Sequence, residues 1–175
     1  EIMTGLCREE PEQLKWQEDL ILAHERVGHV LREQRQFEGT LEAYESALAI
    51  QRRLSRAEPD NLLGQSDLAR VLTFVGSIHR ELEQFTRAME RFREALVILE
   101  RLCEEEPENP LWWHDLADLH QEFAVTHRER DDLESTLASD RQALSNYEHA
   151  LRLEPSNEQW QLDVAMVAAI IAWSI

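Results

Sequence analysis

Residues that break helices are scarce in this chain. Among 175 residues there are five glycines and five prolines. Leu, Ala, Glu, Arg and Gln dominate instead, and all of them favour helix, so the composition predicts an all-α protein. Cysteine occurs twice, at Cys7 and Cys103, which excludes a disulfide framework and any metal-binding cysteine spacing. Free thiols fit a reducing, cytoplasmic setting. Lys15 is the only lysine, a skew towards arginine that points to a GC-rich, bacterial genome. Positive charge is short overall: 18 basic against 35 acidic residues give a net charge of −17. That argues against nucleic acid and anionic membranes as partners, and fits either a basic partner or a solvated acidic surface. The apolar run from Val164 to Ile175 is too short for a membrane span, which needs roughly 20 residues. No signal peptide is recognisable. HExxH, CxxC, GxSxG and glycine-rich phosphate loops are all missing, so no catalytic residue, metal or cofactor is expected and the chain reads as a non-enzyme.

What is present is a repeat. Pro11, Pro59, Pro107 and Pro155 are spaced by 48 residues, and so are Asp19, Asp67, Asp115 and Asp163. Aligned in rows of 48, Asn61, Asn109 and Asn157 share the slot two residues after the proline, and asparagine is a strong helix N-cap. Pro110 fits the first helical position, where a missing N–H costs nothing. A first helix is therefore expected near residues 13, 61, 109 and 157. A second opens near Phe37, Phe85 and Leu133 and ends before the next proline. Each row is a helical hairpin. The chain reads as one array: 1–10 closing a preceding repeat, 11–58, 59–106 and 107–154 as full repeats, and 155–175 as a partial one. It is expected to be a piece of a longer array.

Small residues recur where helices must approach closely. Gly28, Gly76, Ala124 and Ala172 share a slot on the first helix. On the second helix Thr40, Ala88 and Thr136 share one, and Ala47, Ala95 and Ala143 another, one turn after Tyr44 and Phe92. This order of small, small, aromatic and small residues resembles the tetratricopeptide repeat, in a long variety found in bacterial multidomain proteins. The resemblance implies a right-handed α-solenoid of stacked antiparallel helical hairpins. It departs in row three, where Asp140 replaces the aromatic and the second helix is expected to pack less tightly or bend.

Membership of that family would make the first helices the lining of a concave, peptide-binding groove. Carried over by slot, the groove presents Glu25, Thr73 and Gln121; then His29, Ser77 and Val125; then Arg32, Arg80 and Arg128. The three arginines either grip ligand carboxylates bidentately or complement the helix ends and pair with neighbouring acids. The repeating aspartates cannot converge on one ion from helices about 8–10 Å apart, and read as structural partners of an arginine or a helix end. The histidines read as core or groove-wall residues. Trp16, Trp112 and Trp160 share a packing slot, whereas Trp113 and Trp173 break the pattern and are expected to be exposed. The final segment is apolar all round and wants cover, so Met166, Ile170 and Trp173 are candidates for self-association. The expected function is a scaffold for a protein or peptide partner; the alternative is a structural or self-associating module that positions an effector domain.

Overall fold

The computed structural model describes residues 11–174, with side chains from residue 15 onwards. Cys7 and the segment assigned to a preceding repeat lie outside the described residues. Within them the chain forms seven helices: α1 (Pro11–Glu33), α2 (Phe37–Ala57), α3 (Leu62–Glu81), α4 (Phe85–Glu105), α5 (Pro110–Glu129), α6 (Leu133–Leu153) and α7 (Glu158–Trp173). They are arranged as an all-α solenoid: α1–α2, α3–α4 and α5–α6 are hairpins, and α7 packs on α6. The described residues contain no strand.

Two kinds of turn set the 48-residue period. Between the hairpins the asparagines cap as expected: the side-chain oxygens of Asn61, Asn109 and Asn157 accept from the backbone N–H of Gly64, Leu111 and Trp160. Asn61 and Asn109 also donate through Nδ2 to Glu58 and Glu106, at 3.0 Å each. Row one differs, because its helix already begins at Pro11, two residues before the expected start. Within the hairpins the turn is a Schellman motif, used three times. Arg35, Glu83 and Asp131 take left-handed φ values of 57°, 59° and 58°. The next residue's N–H reaches back to Leu31, His79 and His127, at 2.8 to 3.0 Å.

The core explains the small-residue slots. Tyr44 and Phe92, 1% and 0% exposed, lie directly against the glycines of the facing helix. A methyl built on Gly28 would come within 2.3 Å of Tyr44 Cε1, and one on Gly76 within 2.4 Å of Phe92 Cε1. Ala47, Ala95 and Ala143 are fully buried. Thr40 and Thr136 are buried too, and their hydroxyls donate to the carbonyls of Gln36 and Asp132.

Row three solves the same contact differently. Asp140 brings no ring, and Ala124 supplies the methyl that the glycines lack. The Asp140 carboxylate is wholly buried but accepts from Gln121 Nε2 and Arg128 Nη2, both at 3.2 Å. α6 runs unbroken for 21 residues, as α2 and α4 do. The loosening expected at this position is offset by the methyl and the two donors.

Candidate functional site

The first helices α1, α3, α5 and α7 carry a charged network that crosses from row to row. Glu25, buried at 5% exposure, accepts from Arg70 Nη1 through both carboxylate oxygens at 3.0 Å. Arg70 also bonds Asp67 at 3.1 Å and lies over the Phe74 ring. Further along, Arg32 faces Glu81 at 3.9 Å and Arg80 bonds Glu129 at 2.8 Å. Arg80 also faces Glu122 at 3.6 Å, and burial pushes the Glu122 carboxyl up while Arg80 opposes the shift.

Between α3 and α5 this face opens into a cavity of about 260 Å³. Phe74, Leu99 and Leu119 make its apolar floor, with Ser66, Arg70, Thr73, Asp115 and Asp118 around it. Beside it, His114 sits between two carboxylates: Nδ1 lies 3.6 Å from Asp118, and Nε2 lies 3.2 Å from Asp163 on α7. The ring stacks on Trp160 with centroids 5.1 Å apart. Tyr147 donates its hydroxyl to Asp118. Burial, then the neighbouring Asp118 charge, pushes the Asp115 carboxyl up to about 6, against the pull of His114 and Arg70 and a hydrogen bond from Ser66.

The sequence-assigned groove residues divide into two groups. Glu25, Ser77 and the side chain of Arg80 are largely enclosed. Ser77 donates its hydroxyl to the Thr73 carbonyl, and Arg80 is held by three glutamates. His29, Arg32, Thr73, Gln121, Val125 and Arg128 keep more open surface. His29 meets the Tyr44 hydroxyl through Nδ1 at 3.2 Å and packs edge-on against Phe74. Gln121 and Arg128 are engaged with Asp140.

The aspartate slot bonds an arginine at Asp67, but histidine at Asp163 and serine at Asp115, while Asp19 is exposed. Trp112 and Trp160 are buried, Trp16 is exposed, and Trp113 stacks on His149. At the other end Met166 and Trp173 are exposed, Trp173 at 93%, and Ile170 is half-buried. Arg70 and the group around His114 were missed in the sequence. The signal for the second was His114 and Asp118 four apart on a helix, which places them on one face. Among the described residues no helix is long and apolar enough to cross a membrane.

Comparison with known proteins agrees with this architecture. The family described as tetratricopeptide repeat matches residues 68–110, from within α3 through α4 to the first residue of α5. No curated protein matches the chain. Among solved structures, BtubC (BKLC) from P. vanneervenii superposes with a TM-score of 0.59 at 16% identity, over 89% of this chain. The chain spans 65% of that protein's length. The first TPR of Spaghetti (RPAP3), bound to an HSP90 peptide, is 16% identical with a TM-score of 0.42, covering 88% of this chain and 94% of its own. PcrH in complex with the chaperone binding region of PopD is 12% identical with a TM-score of 0.43, covering 90% and 92%. Paired helices at a 48-residue interval, aromatic rings seated on glycines and the family match together make the chain an array of TPR-like helical repeats.

Proposed function

We propose that the chain is a non-catalytic interaction scaffold that takes a partner protein or peptide on the face formed by its first helices. The observation that carries this reading is the cavity between α3 and α5. It combines an apolar floor of Phe74, Leu99 and Leu119 with charged groups at its edge, the pattern of a recognition site. On this reading His29, Arg32, Thr73, Gln121, Val125 and Arg128 meet the partner. Glu25, Ser77 and Arg80 hold the face in shape from within. The test is selection of random peptides on the immobilised chain, followed by affinity measurement against Thr73→Arg and Gln121→Arg. Loss of affinity in both supports the site. Equal affinity in both, with loss in Val97→Arg on the exposed side of α4, moves binding elsewhere.

A second reading rests on α7. Leu162, Met166 and Trp173 expose 63%, 54% and 93% of their surface along a helix that is apolar nearly all round. Such a face fits a self-associating module that positions an effector domain of a larger bacterial protein. Light scattering on the chain and on Trp173→Asp tests it: a concentration-dependent dimer abolished by the aspartate supports it, and a strict monomer refutes it.

A further inference from the structure

We propose that His114, Asp115 and Asp118 form a binding site for a divalent first-row transition ion such as Zn²⁺. One donor atom from each residue lies within 4.8 Å of the other two. The arrangement is more than a collection of acids, because the imidazole is oriented from behind. Asp163 Oδ2 lies 3.2 Å from His114 Nε2. An imidazole that donates Nε2–H to that carboxylate keeps its lone pair on Nδ1. In that tautomer Nδ1 presents its lone pair towards Asp118 Oδ2, 3.6 Å away, an arrangement that a cation between them satisfies. A carboxylate behind a ligating histidine, fixing its tautomer, is the usual support of such ligands. Asp118 is held in the same manner: Tyr147 donates to Oδ1 and leaves Oδ2 for the ion.

The distances allow the step. Zinc bonds of about 2.0–2.1 Å in a tetrahedron place donor atoms about 3.3 Å apart. Nδ1 and Oδ2, 3.6 Å apart, are already close to that spacing. Three protein donors leave a fourth position for water or a partner's side chain, beside the cavity that Asp115 and Asp118 line.

The repeat sets this group of donors apart from its neighbours. In the same slots row one carries Glu18, Asp19 and Leu22, and row two carries Ser66, Asp67 and Arg70. Row two neutralises its aspartate internally through the Asp67–Arg70 pair. Row three replaces that arginine with a second aspartate and adds an imidazole. Rows one and two form their hairpins without this donor set.

The experiment is calorimetric titration of the chelator-treated full chain with Zn²⁺ at pH 7.5, repeated on His114→Gln, Asp118→Asn, Asp163→Asn and a control, His24→Gln. One saturable site is expected, weakened at least tenfold in the first two variants. Asp163→Asn is expected to weaken it about tenfold with the stoichiometry unchanged, and the control not at all. Far-UV circular dichroism checks that each variant folds; Asp118→Asn, at an exposed position, decides the matter if His114→Gln does not. Three results overturn the proposal: no saturation below about 1 mM Zn²⁺, equal affinity in Asp118→Asn, or displacement by equimolar Ca²⁺ or Mg²⁺. The last would mean a carboxylate-only site without the imidazole.

Discussion

Two glycines of the same helix give opposite predictions when each is replaced by alanine. In the middle of a helix this substitution ordinarily stabilises by about 1 kcal/mol, because glycine loses more backbone freedom on folding. Gly64, in the first turn of α3, is free to follow that rule. Its added methyl would meet Asn61 Cγ at 3.4 Å, an ordinary contact, so Gly64→Ala is expected to stabilise by about 0.5–1 kcal/mol. Gly76 cannot. Its methyl would stand 2.4 Å from Phe92 Cε1 and 2.6 Å from Cδ1, so the ring must retreat by about 1 Å to restore contact near 3.5 Å. Phe92 is fully buried and has Phe123 behind it, with ring centroids 5.6 Å apart, so the retreat meets packed atoms. Overpacking of this kind costs about 1–3 kcal/mol, occasionally more. Less the helix gain of about 1 kcal/mol, Gly76→Ala is expected to destabilise by up to about 2 kcal/mol, lowering the melting temperature by up to about 8 °C. Thermal and urea unfolding followed at 222 nm measure both variants. Gly76→Ala/Phe92→Leu closes a double-mutant cycle, and a coupling of at least about 1 kcal/mol is expected because leucine vacates the space that the methyl needs. A Gly76→Ala protein stabilised as Gly64→Ala is, or a cycle with no coupling, would refute the argument that rings seated on glycine set the hairpin spacing.

Glu83 holds a left-handed backbone that costs a side-chain-bearing residue about 1 kcal/mol, so Glu83→Gly is expected to raise the melting temperature by a few degrees in calorimetry. Arg70→Ala leaves the Glu25 carboxylate buried without its donor; a loss of about 1–3 kcal/mol is expected in urea unfolding, largely recovered by adding Glu25→Gln. Burial pushes the Cys103 thiol up to about 12, so in a Cys7→Ser background it should resist a thiol reagent at pH 8 until denaturant is added; rapid labelling of the native chain would contradict its burial. Burial also holds the His120 imidazole below its ordinary 6.5. The unfolded chain therefore takes up more protons below that pH, and stability falls as the solution is acidified from about 6.5. His120→Gln is expected to flatten the melting temperature between pH 5 and about 6.5, measured against the parent in the same buffers.

The period was legible because it is written in residue types whose local physics is strong. Proline and asparagine mark where each first helix starts, and the glycine, alanine and aromatic slots mark where helices meet. The turns inside the hairpins were placed correctly, yet their geometry was hidden. A left-handed residue usually announces itself as glycine, and here it is Arg35, Glu83 or Asp131. Asp140 misled for a related reason. Read alone it removes a ring, and only the structure shows Ala124, Gln121 and Arg128 closing the space and meeting the charge. The first-helix face was the least legible part. Nothing in one sequence says whether Arg80 points to a ligand or to Glu129, 49 positions away. Likewise, nothing in it says that the side chain of Asp163 on α7 reaches across to His114 on α5, 49 positions earlier.

Arg32 with Glu81, and Arg80 with Glu129, each join a residue to one 49 places further on, while the left-handed turns recur every 48. The chain is therefore written in a unit that can be duplicated or excised without inventing an interface, because a copied hairpin brings both the charge its predecessor lacks and the one its successor wants. A cut that removes a single helix leaves every later pair out of phase. Length in such a chain is a quantity that changes in whole hairpins, and its reach towards a partner can be lengthened or shortened in the same steps.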